Sequence, residues 1–277
     1  MGGLAVLLVL AAAVLHACWN AILRSTRDRV QAMAVLGFTA GLAGLIAIPF
    51  LPAPARPSWP FILASGCLHI LYDFLLAWAY RSADLGQSYP IARGSAPLLA
   101  SLGAAVFAGQ VLPPRAIGGV ALIGLGVIAM GLRDPRRLRG SGLGAALATG
   151  ACIATYTITD GIGVRLAGGA PAYAAWEFAF EILVLPIFLA GRGRRGLRAP
   201  WRELARPAFA GVMAVITYTM VLAAFRLGAL GIVAALRETS VVFATLIGWL
   251  FLGERLTPRR LAAALVIAAG AMVLAIG

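Results

Sequence analysis

Apolar blocks with few charges recur along this chain, separated by short segments in which arginine, glycine and proline cluster. Most blocks hold about 18 to 24 residues, the length that an α-helix needs to cross the hydrocarbon core of a bilayer. The pattern predicts an all-α membrane protein. Its ten expected transmembrane helices lie at residues 3–23, 30–51, 59–80, 85–108, 115–132, 141–163, 171–190, 205–226, 229–252 and 259–277.

Composition agrees with this prediction and changes how the charge is interpreted. Of 277 residues, 61% are hydrophobic and 12% are charged, whereas a soluble domain has roughly a quarter charged residues. The formal net charge is +13, and every basic residue is arginine. Most arginines lie in short connections such as "RDPRRLR", where cations orient a protein against anionic lipid. We therefore expect membrane lipid as a partner and no nucleic acid.

An internal repeat divides the chain. Residues 93–126 align without a gap on residues 237–270. The matched pairs include Arg93 with Arg237, Phe107 with Phe251, Gly109 with Gly253, Pro114 with Pro258 and Gly126 with Gly270. The matching segments are the fourth and fifth spans of each half, so each half has five spans. An odd number inverts the second copy, and the sequence predicts two inverted five-helix repeats as domains, at 1–132 and 141–277.

Inverted repeats are typical of secondary transporters, in which a substrate site lies near the bilayer midplane between halves that move alternately. Two turns of the form G-(E/Q)-x-L-x-P-R, each followed by a helix rich in glycine and alanine, resemble the ends of EamA domains of the drug/metabolite transporter superfamily. The resemblance covers nearly the whole chain. It implies ten helices in two inverted halves and the transport of small organic solutes, including amino acids, other metabolites and organic-cation drugs.

Arginine is distributed unevenly between the two sides of the predicted bundle. Connections after the odd-numbered spans carry seventeen arginines, and the opposite side carries four. By the positive-inside rule, both termini are predicted to be non-cytoplasmic in a bacterial cytoplasmic (inner) membrane.

A charged and proline-containing stretch, "SYPIARGSAPLL", interrupts the fourth span. Pro90 and Pro97 each remove a helical hydrogen bond, which predicts a kinked or unwound helix around Arg93. A charge at that depth needs a partner, and we expect Arg93 to meet a substrate anion or a carboxylate of the third or seventh span. Its repeat partner Arg237 precedes Glu238, which is expected to neutralise it and leave Arg93 freer.

Polar side chains at helical spacing form stripes in several other spans. His16 and Asn20, His69 and Asp73, Tyr156 and Asp160, and Glu177 and Glu181 are each four residues apart and share a helix face. The stripes either tie helices together or line a cavity. Asp160, near a span end, is expected to reach the interface. The predicted substrate-binding residues are His16, Asn20, Tyr72, Asp73, Arg93, Tyr156, Trp176, Glu177, Tyr218, Arg237 and Glu238.

These features predict a secondary transporter of a small organic metabolite, amino-acid-like or otherwise anionic or zwitterionic. Burial disfavours the charged form of a carboxylate, so a carboxylate within the membrane could bind a proton and couple its flow to transport. No nucleotide-binding G-x-x-x-x-G-K-[ST] fingerprint is present, and we expect no cofactor and no metal. The alternatives are a lipid-headgroup flippase, a channel and a membrane enzyme acting on lipid. The last lacks a catalytic cluster, so we expect no enzymatic activity. Nothing in the sequence indicates an oligomeric state.

The arginine asymmetry yields a topological prediction. A reporter fused after Gly277 should behave as non-cytoplasmic, and a cysteine at position 194 should be protected from membrane-impermeant reagents added outside the cell. Cytoplasmic behaviour of the reporter in an otherwise active fusion would reverse the assigned orientation.

Overall fold

The computed structural model describes residues 2–26, 28–82, 85–131, 141–192, 200–251, 253 and 255–276. Within these ranges the chain is helical apart from turns and short connections. Its α-helices are α1 (Gly3–Arg24), α2 (Arg29–Ala47), α3 (Trp59–Ser82), α4 (Leu85–Ala108), α5 (Pro114–Gly131), α6 (Ser141–Leu166), α7 (Ala170–Ala179), α8 (Val184–Arg192), α9 (Trp201–Leu227), α10 (Leu230–Arg237), α11 (Ser240–Phe251) and α12 (Pro258–Ile276). Short 3₁₀ turns occupy Ile48–Phe50, Arg56–Ser58 and Phe180–Leu183.

The ten predicted spans correspond to these helices, with two corrections in the second half. The seventh span is interrupted: α7 and α8 are joined by the 3₁₀ turn Phe180–Leu183. The ninth is broken between α10 and α11 at Glu238 and Thr239. At this break, backbone hydrogen bonds tighten to three-residue spacing, and the Thr239 hydroxyl donates to the Leu236 carbonyl at 2.7 Å. A hydroxyl that competes locally for a helical carbonyl favours such a break.

Of the two predicted effects of the prolines in the fourth span, a kink or an unwound segment, the unwound segment is wrong. The helix α4 continues from Leu85 to Ala108 with Pro90 and Pro97 inside it, so it is not unwound at Arg93. Each proline removes only one backbone bond, and α4 packs along both α5 and α6, which support it. The broken member of the repeat pair is the ninth span.

The sixth span is more polar than the others. Nine helical segments in the described ranges are long and apolar enough to cross a membrane, and α6 is not among them. With 26 residues, it is about 39 Å long at about 1.5 Å per residue, which is sufficient. Three of its four threonines bond within the helix: the hydroxyls of Thr149, Thr155 and Thr159 each donate to the carbonyl four residues earlier. The buried hydroxyl of Thr157 has no hydrogen-bond partner among the described residues.

The helices pack with a twofold pattern. By position in the repeat, α1 is equivalent to α6, α3 to α9, and α4 to α10 together with α11. The contact of α1 with α9 is therefore matched by the contact of α3 with α6. The contact of α4 with α6 is likewise matched by the contacts of α10 and α11 with α1. The helices α5 and α12, the last of each half, lie against each other. Each of these contacts joins the first five spans to the second five. The fold is therefore an all-α membrane protein of ten transmembrane segments in two inverted five-helix repeats.

The repeated glycines end equivalent helices. Gly109 follows α4 with φ of 63°, and Gly253 follows α11 with φ of 68°. Side chains disfavour this left-handed conformation, and glycine adopts it without a steric penalty. Pro258, which matches Pro114 in the repeat, begins α12, as Pro114 begins α5.

A close backbone approach positions the turn in the seventh span. Gly41 of α2 faces this turn so closely that a Cβ atom there would lie 2.7 Å from Ile182 Cα and 2.8 Å from the Glu181 carbonyl carbon. We expect Gly41→Ala to cost about 1–3 kcal/mol, because backbone must shift to admit the methyl group. Thermal unfolding in detergent measures the effect.

The matched control is Gly118→Ala in α5, where a Cβ atom would meet nothing within 4 Å. Both substitutions gain about 1 kcal/mol of helix propensity, so only the contact differs. Equal melting temperatures for the two variants would contradict the close approach.

Candidate substrate site

A cavity of about 170 Å³ lies between the two repeats. Its walls come from α1, α2, α3 and α4 of the first half, and from α6, α7, the following 3₁₀ turn, α9 and α10 of the second. It is smaller than the roughly 300–1,000 Å³ of sites for drug-sized ligands. Eight of the eleven predicted site residues line it: His16, Asn20, Tyr72, Asp73, Arg93, Tyr156, Tyr218 and Arg237.

Arg93 is held by partners from three helices or turns. Its Nε donates to Glu238 Oε2 at 2.7 Å, and its Nη2 donates to the Ser240 hydroxyl at 3.3 Å. Its Nη1 lies 3.2 Å from Nε2 of His16. A guanidinium can only donate, so this histidine nitrogen accepts and carries no proton. The predicted partner on the third or seventh span is therefore wrong, because the carboxylate comes from the ninth.

Arg237 is held less tightly by the same carboxylate. Its Nε lies 3.7 Å from Glu238 Oε1, and this buried nitrogen has no hydrogen-bond partner among the described residues. The expectation that Glu238 would neutralise Arg237 and leave Arg93 freer is thus reversed. The break after α10 explains the reversal, because it directs the Glu238 carboxylate towards α4.

Burial makes this arrangement energetically important. Arg93 and Arg237 are each 4% exposed, and Glu238 is fully buried. Two cations share one anion in an environment where an unpaired charge is costly. This end of the cavity, defined by Arg93, Arg237 and Glu238, is called the cationic end below.

A second group of side chains is acidic. Asp73 of α3 and Glu181 of the 3₁₀ turn both line the cavity and interact electrostatically. Gly37 of α2 faces Glu181 so closely that a Cβ atom there would lie 3.0 Å from its Oε2. Asp73 and Glu181 are called the acidic pair below.

Glu177 lies behind the wall, next to a histidine that reaches the cavity. Its Oε1 is 3.1 Å from His69 Nδ1, which is also 3.1 Å from the carbonyl oxygen of Ser65. The hydroxyl of Ser65 lies 3.1 Å from the same nitrogen and can either donate to it or accept from it. Glu177 is fully buried, and its oxygens make no well-aligned hydrogen bond within the described structure. His69 therefore separates this carboxyl group from the cavity.

Aromatic rings fill the wall beside His69. The ring centroid of Tyr156 lies 4.3 Å from that of His69, 6.0 Å from that of Tyr72 and 6.4 Å from that of Tyr218. Such rings can pack against a flat or cationic solute.

Asp160 corrects the expectation that it reaches the membrane interface. It is fully buried and accepts hydrogen bonds from the hydroxyls of Tyr173, at 2.9 Å, and Tyr218. Helix α7 begins shortly after α6 ends and brings Tyr173 back against it. The aspartate thus fixes Tyr218, one of the cavity residues, from behind.

Three predicted site residues lie outside the cavity wall. Trp176 packs edge-on against Trp59, with ring centroids 4.7 Å apart, while Glu177 and Glu238 support the wall from behind. The wall also contains residues that the predicted set omitted: Trp19, Leu23, Met33, Leu36, Gly37, Ala40, His69, Phe178, Glu181, Ala214, Thr217 and Val221. His69 and Glu181 could have been predicted from the sequence, since each lies four residues from a predicted site residue and shares its helix face. The α2 residues had none, because an apolar helix does not reveal which face borders a cavity.

Ten spans in two inverted repeats around a central cavity that contains buried charged side chains define a membrane protein of the transporter type. The chain belongs to the EamA-like transporter family, whose model matches residues 3–132 and again residues 140–276. The family resemblance and the transporter class predicted from the sequence are therefore confirmed, and the family is one of transporters rather than enzymes.

The fold is shared with solved structures. A crystal structure of a protein with 19% sequence identity superposes with a TM-score of 0.79, covering 98% of this chain and 97% of that chain. At that identity, the likeness establishes the fold alone. No curated protein matches the sequence.

The geometry predicts how the cationic end responds to mutation. Arg93→Gln should destabilise the protein by about 3–5 kcal/mol, because breaking a buried pair leaves Glu238 with a more distant partner. Adding Glu238→Gln to that variant should restore part of the loss. Unfolding in detergent measures both effects.

The exposed Arg226→Gln variant is the control and should melt like the wild type. Wild-type stability of Arg93→Gln, or no recovery in the double variant, would contradict the pairing.

Proposed function

We propose that the protein is a secondary transporter of a small zwitterionic or anionic organic solute, amino-acid-like in size and charge. The observation that carries the proposal is a cavity of about 170 Å³ between the repeats that contains both the cationic end and the acidic pair. In the proposed binding mode, a solute carboxylate faces Arg237 and a solute ammonium group faces Asp73 or Glu181. A guanidinium suits a carboxylate because its planar fork can donate two parallel hydrogen bonds.

The position of the cavity supports alternating access. Among the cavity residues of α1 and α2, Leu23 and Met33 lie near the helix ends that adjoin the arginine-rich side. On the other side, the backbone N–H of Leu230 donates to Gln110 Oε1 at 2.9 Å. This bond ties the connection after α4, in the first half, to the start of α10, in the second half. We infer an inward-facing state in a bacterial inner membrane, with both termini outside and residues 1–132 and 141–277 moving against each other.

Proton coupling is part of the proposal. Asp73 lines the cavity and Glu177 is fully buried behind His69, so a proton on either carboxyl group removes a charge from an apolar environment. Proton binding from one side and release to the other would drive accumulation of the solute.

The test uses purified protein in proteoliposomes and a panel of radiolabelled amino acids. We expect saturable counterflow for at least one amino acid, and accumulation when a pH gradient is imposed. Glu177→Gln should abolish the gradient-driven accumulation while counterflow at equal pH persists, because exchange needs no net proton movement. Asp73→Asn should abolish it as well and leave counterflow only partly intact, because Asp73 also faces the solute ammonium group in the proposed binding mode.

The control is Glu203→Gln, which changes an exposed carboxylate in the first turn of α9. Gradient-driven accumulation that remains at the wild-type level in both Asp73→Asn and Glu177→Gln would remove the coupling role. Non-saturable flux with single-channel conductance would indicate a channel. Movement of a fluorescent phospholipid without amino-acid counterflow would indicate a lipid-headgroup flippase.

A further inference from the structure

Two arginines from equivalent positions of the repeats meet at a single carboxylate. Arg93 and Arg237 occupy matching positions, whereas the residue after Arg93 is Gly94 and the residue after Arg237 is Glu238. The second repeat therefore supplies the carboxylate for both guanidinium groups. Its Oε2 lies 2.7 Å from Arg93 Nε, and its Oε1 lies 3.7 Å from Arg237 Nε.

The other polar groups at this end do not change the charge. His16 accepts from Arg93 through an unprotonated nitrogen, and Ser240 is a neutral hydroxyl. Among the described residues, Arg237 interacts electrostatically with Arg93 and Glu238, and with four aromatic side chains, Tyr156, Tyr218, His16 and His69. Glu238 is the carboxylate in that set. The cationic end thus carries two positive charges and one negative charge.

One of those positive charges faces the cavity without full compensation. Arg237 lines the cavity, and its buried Nε has no hydrogen-bond partner in the described ranges. Since Arg93 already makes the closer contact with Glu238, an anion entering the cavity would complete the pairing of Arg237. One solute carboxylate brings the net charge of the cationic end to zero. A second carboxylate would leave this end with a net negative charge.

We propose that Glu238 determines the charge of the accepted solute: by cancelling one guanidinium, it restricts this end of the cavity to a single carboxylate and disfavours a second. The inference rests on the proposed transport of a solute with an anionic group. Solutes are thus selected by the net charge of the cationic end rather than by a contact with one particular residue.

Three variants change that number in steps. Glu238→Gln leaves two positive charges, Arg93→Gln leaves none in excess, and the double variant Arg93→Gln/Glu238→Gln leaves one, as in the wild type. The probes are L-alanine and L-aspartate, which both carry an ammonium group and differ by one carboxylate. The measured quantity is the rise in melting temperature of purified protein with each probe, converted into relative affinity by titration.

The wild type should prefer L-alanine, and Glu238→Gln should prefer L-aspartate, with a change in the affinity ratio of roughly tenfold or more, as expected for one charge-assisted hydrogen bond. Arg93→Gln should respond to neither probe. The double variant should recover the preference for L-alanine. If Glu238→Gln does not fold, the comparison of Arg93→Gln with the double variant decides, because only the charge number distinguishes their expected responses. If Arg93→Gln does not fold, the comparison of Glu238→Gln with the wild type and the double variant decides for the same reason.

An unchanged preference in folded Glu238→Gln would overturn the inference and leave the proposed transport standing. So would L-alanine binding by Arg93→Gln, or its absence in a folded double variant. If neither probe stabilises the wild type and no amino acid shows counterflow, the proposed function fails and the inference fails with it.

Discussion

The pairing of buried charge within the membrane is the constraint on which the rest of this structure depends. Arg93, Arg237 and Glu238 are almost completely removed from solvent, and a lone ion in such a place is costly. The contact between Arg93 and Glu238 joins the fourth span to the ninth, and hence one repeat to the other. It also requires the ninth span to break after α10, so that the carboxylate turns towards α4. Charge pairing, the interruption of a helix and the contact between repeats are therefore one feature of the molecule.

The repeats are similar in backbone and different in chemistry. Gly109 and Gly253 end equivalent helices with the same left-handed conformation, and the contacts between halves occur in symmetric pairs. The interruptions, in contrast, occur in the seventh and ninth spans, where they carry Glu181 and Glu238. Broken helices in membranes place backbone and polar side chains beside a cavity without exposing them to lipid. The second half thus supplies most of the irregular structure at the site, while α4 of the first half stays continuous despite two prolines.

The sequence contained most of the fold and part of the site. Block length, the ungapped repeat and its odd number of spans were sufficient for ten segments in inverted halves, because bilayer thickness and backbone hydrogen bonding leave few alternatives. The four-residue spacing also predicted that His16, Asn20 and Asp73 lie on inner helix faces, and all three line the cavity. It did not reveal which carboxylate Arg93 meets, since that contact joins residues 145 positions apart and depends on the break beside Glu238. It also misplaced Asp160, because proximity to a helix end says nothing about the tyrosines that α7 and α9 bring to it.

Unequal surroundings give equivalent arginines unequal roles. Glycine follows Arg93, and that guanidinium obtains its counter-ion from the other repeat, at the closer oxygen of Glu238. Arg237 is left with the longer contact and a place in the cavity wall. Under the proposed function, an entering carboxylate supplies the partner that Arg237 lacks and leaves the Arg93–Glu238 contact between the repeats intact. Solute binding would then complete the pairing of charges at this end of the cavity, and the Arg93–Glu238 contact would continue to join the two halves.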